Sequence, residues 1–409
     1  MAPTVRKGRT SLLTLAIGLS MLTTAATGAH AAEDAAGPRY PDVEGLEDVL
    51  GQDLYADADK IHALILGKFI DRPHALLAYL SSADGGMHWS QPVFVTPEAD
   101  PKVASRRGND AQLAAHGSRL VAAWQERGEL PGTGPMRLAY SEDSGRTWKK
   151  AAPPDFDDPT GTQSYLDVAA DGKGDFHLVW LDDREENGNS QGLRHAISHD
   201  GGRRWTHQET IDDAVCTCCW NRLTALPDHS LAVLYRGNDP HDMQLATRAD
   251  RGPWHHPGPV GRFDWHFSGC PHCGGGIAVT TEGDKPVLHG VVWTGVERAP
   301  GLYYLNSRTR GETWSPTVQV GASESREADI AVLSPARIAI VFGTTETGES
   351  RVQMRLSTDG GRTWSPHRPL SSPQTAADHP RILSTPFGFR AFWTERRPDG
   401  KRAWAMQSL

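Results

Sequence analysis

The chain has 409 residues, of which 38% are hydrophobic and 22% are charged, proportions that are typical of a soluble globular protein and argue against extensive disorder. Its formal net charge is −8 and it contains no long basic run, so we expect neither nucleic acid nor an anionic membrane surface as a partner. The length exceeds that of a usual single core, which leaves either several domains or one repeat architecture.

The N-terminal segment has the features of a secretory signal peptide. Basic residues between 6 and 9 precede a mostly apolar stretch from 12 to 22, and Ala29-His30-Ala31 has the form of a cleavage site. The stretch is shorter than the roughly 20 apolar residues that a membrane-spanning helix needs. We therefore predict a signal peptide over 1–31 and a single domain over 32–409, with no transmembrane segment and a periplasmic or extracellular location where thiols can be oxidised.

A short motif recurs along the chain at intervals of about 50 to 60 residues, the length of a four-stranded blade. Intact copies of Ser-x-Asp-x-Gly-x-x-Trp begin at Ser82, Ser141, Ser198 and Ser357. A fifth copy begins at Ser307 and has Thr309 in place of the Asp, and a degenerate sixth copy is predicted at 247–254. The Asp can accept hydrogen bonds from turn amides, the Gly supplies unusual backbone angles and the Trp packs between sheets, so the motif indicates a structural fastener.

This motif is the Asp-box, or BNR repeat, and the chain from roughly Tyr40 to its end resembles the sialidase-like β-propeller superfamily. The resemblance implies an all-β fold of four-stranded blades. Counting the repeats and the C-terminal segment gives seven blades, whereas the sialidases have six, so six or seven blades are both open. The C-terminal segment from Ile382 provides three strands without a box. We predict that the chain after Gly37 supplies the missing outer strand and closes the ring.

All five cysteines lie in two segments that are one repeat length apart, Cys216-Thr-Cys218-Cys219 and Cys270-Pro-His272-Cys273. Each segment lies just before or at the first strand of its blade. Because equivalent positions in successive blades are neighbours around the axis of a propeller, we predict that the two segments meet near one mouth of the channel.

Three kinds of chemistry fit this group of thiols. Disulfides would staple the two loops together, although an odd number of cysteines leaves at least one thiol unpaired. Soft sulfur ligands with His272, and with His266 nearby, would suit copper or zinc. Cys270 and Cys273 also have the spacing of thiol oxidoreductases, although that motif normally begins a helix and here precedes a predicted strand. One disulfide and a residual thiol–histidine metal site can coexist.

The cysteine segments occur together with Tyr235-Arg236, Asp264-Trp265-His266 and Trp293-Thr-Gly295. This combination resembles exported bacterial BNR-repeat proteins whose activity is unestablished, and it implies a shared site of unstated chemistry. The sialidase family itself needs three arginines, a Tyr nucleophile activated by a Glu and an acid/base Asp. The expected Arg-Ile-Pro segment is missing between residues 53 and 80, which argues against a sialidase active site.

Polar residues follow several predicted second strands at the same phase, which indicates a lined pocket at the propeller mouth. Salt bridges between blades are the alternative interpretation. The predicted pocket residues are Arg127, Asp183, Arg184, Arg236, Asp239, Trp293, Glu395 and Arg396. The predicted metal or disulfide residues are Cys216, Cys218, Cys219, Cys270, His272 and Cys273.

The sequence therefore favours an exported, monomeric propeller with a Cys/His site that binds copper or zinc or is stapled by disulfides. The adjacent pocket would take a small-molecule, glycan or protein ligand. Two alternatives stay open: a sialidase or another hydrolase or lyase acting on acidic sugars, and a non-catalytic interaction scaffold. The sequence identifies no catalytic residue.

Overall fold

A computed structural model describes Met1 and residues 37–409, apart from 97–99, 107, 155–160, 188–189 and 347; the side chains of 185–187 are not described either. The predicted cleavage position after Ala31 lies outside the described residues. Within the described part the chain forms strands and turns and no helix, which confirms the predicted all-β class. These residues thus contain no helix that is long and apolar enough to cross a membrane.

The described strands form seven antiparallel sheets, each built from strands that are consecutive in the chain. The first blade contains β1 (Leu46–Asp57), β2 (Lys60–Phe69), β3 (Leu76–Ser82) and β4 (Val93–Phe94). The second contains β5 (Gln112–His116), β6 (Arg119–Gln125), β7 (Met136–Ser141) and β8 (Lys149–Ala151). The third contains β9 (Gln163–Ala170), β10 (Phe176–Asn187), β11 (Ser190–Ser198) and β12 (Glu209–Cys216).

The remaining four blades continue the same order. The fourth contains β13 (Arg222–Ala225), β14 (Leu231–Arg236), β15 (Met243–Arg248) and β16 (Trp254–Pro259). The fifth contains β17 (Gly275–Glu282), β18 (Lys285–Thr294), β19 (Gly301–Ser307) and β20 (Val318–Gly321). The sixth contains β21 (Ser325–Val332), β22 (Ile338–Thr344), β23 (Arg351–Ser357) and β24 (Arg368–Pro369). The seventh contains β25 (Ala377–Thr385), β26 (Gly388–Arg396) and β27 (Arg402–Ser408).

The ring closes through the two ends of the propeller. Arg39 and Met406 exchange both backbone hydrogen bonds, with N···O distances of 2.9 and 2.8 Å, so the chain after Gly37 adds the outer strand to the seventh sheet as predicted. First strands of successive blades contact one another, and β25 contacts β1. The blade count is therefore seven, as the repeats indicated, and not the six of the sialidases.

The Asp-boxes close the connection between the third and fourth strands of their blades. In the second blade, Ser141 Oγ accepts a hydrogen bond from the Gly145 amide at 2.9 Å, and Asp143 Oδ1 accepts one from the Thr147 amide at 2.9 Å. Gly145 has a φ of +81°, and a Cβ there would lie 2.0 Å from Cε1 of Tyr79 in the preceding blade. The Gly is therefore required both for the turn and for the packing of one blade on the next.

The fifth box keeps this geometry without a carboxylate. Thr309 Oγ1 accepts the hydrogen bond from the Thr313 amide at 2.8 Å, and the Gly311 amide donates to Ser307 Oγ at 2.8 Å. A hydroxyl can therefore replace the Asp as the acceptor inside the turn. In the fourth blade, residues 247–254 span the β15–β16 connection, and the Gly252 amide donates to the carbonyl of Ala249 at 2.8 Å.

Acidic side chains on the first strands tie neighbouring blades together around the axis. Oδ2 atoms of these residues accept hydrogen bonds from backbone amides of the next first strand: Asp53 from Leu113 at 2.8 Å, Asp167 from Leu223 at 2.7 Å and Asp329 from Ile382 at 3.0 Å. Arg222 and Arg381 lie among these carboxylates and interact electrostatically with them. The axis of the ring is therefore surrounded by buried side chains of both charges.

Asp53→Asn should flatten the pH dependence of stability. Burial raises the pKa of Asp53 to about 7, against the opposing effect of Arg381, whereas an unfolded Asp titrates near 3.9. The folded state thus binds this proton more tightly. The stability that this proton contributes is fully present below about pH 4 and is lost as the pH rises through about 7, by up to about 1.4 kcal/mol per pH unit. The amide oxygen of Asn can still accept the Leu113 hydrogen bond.

Urea unfolding at about pH 5 and about pH 8 measures this effect. Asp57→Asn is the matched control, because Asp57 Oδ2 accepts a similar bond from the Gly117 amide at 2.7 Å at the partly exposed end of the same strand. A pH dependence in Asp53→Asn as steep as in the wild type would contradict the assignment.

Candidate functional site

The two cysteine segments occupy equivalent loops of neighbouring blades. Cys216 ends β12, and Cys218 and Cys219 follow in the connection to β13, whereas residues 270–273 lie in the connection from β16 to β17. Each connection leads from the last strand of one blade to the first strand of the next. Both loops therefore lie on the same face of the ring.

The sulfur and imidazole donors form two overlapping groups. One comprises Cys216, Cys218 and Cys219, and the other comprises Cys218, Cys270 and His272; within each group the donor atoms all lie within 4.8 Å of one another. The first group is buried, whereas Cys270 and His272 are exposed. The predicted meeting of the two segments is therefore confirmed, and Cys218 is the residue that both groups share.

The buried group favours one thiolate between two thiols. Cys216 Sγ lies 2.8 Å from Cys219 Sγ and 3.7 Å from Cys218 Sγ. Hydrogen bonds from Cys218 and Cys219 lower the pKa of Cys216 to about 4, while burial raises the pKa of Cys219 well above its ordinary value. All five cysteines belong to the described part of the chain, and there they are not joined in disulfides.

Arg236 is buried next to the second cysteine loop and is only 1% exposed. Its Nε donates to the carbonyl of Cys273 at 2.9 Å, its Nη2 to the carbonyl of Trp293 at 3.0 Å, and its Nη1 to the carbonyl of His241. One guanidinium therefore joins the second cysteine loop to β18 and to the connection after β14. These contacts make Arg236 a positioning residue for the 270–273 loop.

Trp220 fills the space between two neighbouring loops. A Cβ on Gly108, just before β5, would lie 2.1 Å from Trp220 Cε3, and a Cβ on Gly274 would lie 2.5 Å from Trp220 Cδ1. Only glycines can approach the indole this closely. Because Trp220 directly follows Cys219, this packing fixes the turn that presents Cys218 and Cys219.

A cavity of about 430 Å³ lies on the same face of the ring. Its lining includes segments of the first, second, sixth and seventh blades, among them the connection that leads into β5. Its basic lining residues are His74, Arg106, Arg127, His379 and Arg402. The Arg106 guanidinium also lies over the ring of Tyr165, 5.0 Å from its centroid, and Tyr165 packs in the same buried cluster as four of the five cysteines. The cavity and the cysteine group therefore adjoin each other through Arg106.

The structure places the predicted pocket residues in several separate environments. Arg127 lines the cavity. Asp183 accepts a hydrogen bond from the Thr162 amide at 3.0 Å, and Arg184 pairs with Asp182 at 2.7 Å.

The other predicted pocket residues, besides Arg236, are also divided. Asp239 pairs with His266 at 2.6 Å on the exposed surface, and Trp293 packs against Trp265 with ring centroids 5.2 Å apart. Glu395 is buried and accepts a hydrogen bond from Trp393 Nε1 at 2.8 Å, whereas Arg396 is exposed. Of the eight predicted pocket residues, Arg127 alone is among the residues that line this cavity.

Sequence analysis missed Tyr165 and Arg106. Tyr165 is 1% exposed, and burial raises the pKa of its phenol, so the hydroxyl is protonated at neutral pH. One signal in the sequence could have marked it: Tyr165 precedes the axial Asp167 by two residues, as Glu327 precedes Asp329. Nothing in the sequence around Arg106 distinguishes it from an ordinary surface arginine.

Comparisons with known proteins agree with this architecture. The BNR/Asp-box repeat family model matches residues 355–366, and the search of curated proteins finds no match. A PL25 ulvan lyase bound to -[GlcA(1-4)Rha3S]- is similar in structure, with a TM-score of 0.58 and 12% identity over 90% of this chain and 95% of that chain. The Hadza microbial sialidase Hz136 is similar with a TM-score of 0.50 and 16% identity, over 85% of this chain and 76% of that chain. The polysaccharide lyase Uly1 is similar with a TM-score of 0.52 and 9% identity, over 91% of each chain.

Proposed function

We propose that this sialidase-like Asp-box propeller is an exported protein whose Cys218, Cys270 and His272 bind a soft metal ion, zinc or copper, at the mouth of the channel. The observation that carries the proposal is the convergence of three donors from two neighbouring loops within 4.8 Å of one another, on a partly exposed surface. The signal-peptide features of the N-terminal segment support export.

The donor set fits such an ion. Zn–S bonds of about 2.3 Å and Zn–N bonds of about 2.0–2.1 Å place tetrahedral donors roughly 3.5 to 3.8 Å apart, so the three side chains need to move only slightly. Two thiolates and an imidazole are ligands that suit zinc and copper(I). Thr217 Oγ1 lies 3.6 Å from Cys270 Sγ and adds a polar neighbour on the loop of Cys218.

The buried thiols have a separate role in this proposal. The sulfurs of Cys216 and Cys219 lie 2.8 Å apart, and these two residues are the pair that would form a disulfide in an oxidising compartment. That bond would leave Cys218, Cys270 and His272 untouched. One disulfide and one metal ion can therefore be present together.

Metal analysis of the purified protein tests the proposal. After loading with zinc and removal of the excess, we expect about one equivalent to be retained, and His272→Ala to retain much less because an imidazole ligand is lost. His255→Ala is the matched control, since that exposed imidazole pairs with Glu312 at 2.6 Å. A wild-type protein that retains no zinc or copper would contradict the proposal.

The lining of the cavity favours a second candidate function, the binding and cleavage of acidic glycans. Arg106, Arg127 and Arg402 converge there with two imidazoles, and guanidinium groups are suited to the carboxylates and sulfates of such sugars. An ulvan lyase and a sialidase are similar to this chain in structure. Incubation with uronate polymers, monitored by the ultraviolet absorbance of unsaturated products, and with a fluorogenic sialoside would test it; no release from either would exclude these two activities.

A further inference from the structure

Tyr165 is a buried polar side chain for which the proposed metal site does not account. It is 1% exposed, and its hydroxyl has no hydrogen-bond partner among the described residues. A phenol hydroxyl that is buried without a partner costs free energy, and such groups in native structures call for an explanation. A ligand bound next to the hydroxyl would supply the missing acceptor.

The backbone at Tyr165 directs its side chain. Its φ is +50°, and it lies where the register of β9 against β10 shifts. The same feature recurs at Glu327 in β21 and at His379 in β25, and both of these residues line the cavity. A bulge re-aims a side chain away from the regular alternation of its strand. The three residues are thus equivalent, and Tyr165 is the one next to the cysteine loops.

Two asparagines hold this unusual backbone in place. Asn109 Oδ1 accepts a hydrogen bond from the Tyr165 amide at 2.6 Å, and Asn221 Nδ2 donates to the Tyr165 carbonyl at 3.1 Å. Asn221 lies two residues after Cys219, so Tyr165 is tied directly to the first cysteine loop. The phenol oxygen interacts electrostatically with the sulfurs of Cys218, Cys219 and Cys270.

Arg106 adds a positive charge at the same place. Its guanidinium lies 5.0 Å from the Tyr165 ring centroid, it interacts electrostatically with Cys270, and it lines the cavity. No carboxylate in the described part of the chain forms an ion pair with it. Two thiolates and a neutral imidazole already balance the charge of a divalent ion, so the charge of Arg106 is left for an additional anion.

We propose that Tyr165 and Arg106 form an anion site beside Cys218, Cys270 and His272, so that a divalent ion there keeps its fourth coordination position for a small anion. The inference rests on the proposed metal site and makes it an open centre with an exchangeable ligand instead of a closed structural one. The Tyr165 hydroxyl donates a hydrogen bond to the anion, and Arg106 balances its charge.

Azide titration of the cobalt(II)-loaded protein, followed in the visible spectrum, tests the inference. We expect the wild type to bind one azide per cobalt with a change in the cobalt bands. Tyr165→Phe and Arg106→Gln should bind cobalt as the wild type does but azide roughly tenfold more weakly, because each loses one charge-assisted contact. Tyr235→Phe is the control, since the buried Tyr235 hydroxyl already donates to Asp212 at 2.8 Å.

The outcomes separate the two proposals. A wild type that binds cobalt but shows no response to azide would overturn the anion site and leave the metal site standing. Equal azide affinity in the wild type and in both Tyr165→Phe and Arg106→Gln would likewise overturn it. A wild type that binds no cobalt, zinc or copper would remove the metal site and the anion site together.

Discussion

Cys218→Ser should lower the affinity of the protein for zinc at least about a hundredfold, which exceeds the usual effect of changing a residue behind a ligand. Cys218 is the one residue that belongs to both donor groups. Its loss leaves two thiols in the buried group, and one thiol with one imidazole in the exposed group. A serine hydroxyl stays protonated and is a poor ligand for a soft ion. Competition with a chelator of known affinity measures the change.

Cys216→Ser is the matched control for this substitution. Cys216 belongs only to the buried group, and its sulfur lies against Cys219 rather than among the exposed donors. We expect its zinc affinity to fall less than about tenfold, since the Cys218, Cys270 and His272 donors are retained. Equal losses in the two variants would place the ion among the three buried thiols instead.

Gly108→Ala should destabilise the fold by about 3 kcal/mol or more and weaken zinc binding as well. Gly108 has a φ of +74°, and a Cβ there would lie 2.1 Å from Trp220 Cε3. The indole has no room to retreat, because Gly274 lies against its other edge. Displacement of Trp220 would therefore move the adjoining turn with Cys218 and Cys219. Chemical denaturation gives the free energy of unfolding, and zinc titration gives the affinity.

Gly117→Ala separates the backbone contribution from the contact. Gly117 has a φ of +61°, but no atom lies within 4 Å of a Cβ placed there. We expect a cost of only about 1–2 kcal/mol, the penalty for an L-residue in the left-handed region, and unchanged zinc affinity. If Gly108→Ala cost no more than Gly117→Ala, Trp220 would not be held as tightly as the structure indicates.

The fold could be predicted largely from the sequence, because the box residues are needed for local reasons. Ser141, Asp143 and Gly145 form the hydrogen bonds and the backbone angles of one turn, and Gly145 also leaves room for Tyr79 of the preceding blade. The same residue types must therefore recur wherever that turn recurs. The predicted number of blades depended on whether the fourth blade was counted, because it lacks an intact Asp-box. Its β15–β16 connection is closed by a backbone hydrogen bond instead.

The cysteine–histidine group could be predicted in part. Its cysteines are one blade length apart in the sequence, and the symmetry of a ring then brings them together. The surrounding residues could not be assigned in the same way. Arg236 and Arg127 both lie at or just after the end of the second strand of a blade. Arg236 is nevertheless buried and donates hydrogen bonds to three backbone carbonyls, whereas Arg127 lines the cavity. The bulge that directs Tyr165 depends on pairing between strands, which no local pattern encodes.

X-ray absorption at the zinc edge of the loaded protein tests the central claim most directly. Cys218, Cys270 and His272 predict two sulfur ligands at about 2.3 Å and the remaining nitrogen or oxygen ligands at about 2.0–2.1 Å. A coordination shell of three or four sulfurs would indicate that the buried thiols bind the ion instead. A shell of nitrogen and oxygen alone would contradict the proposed centre.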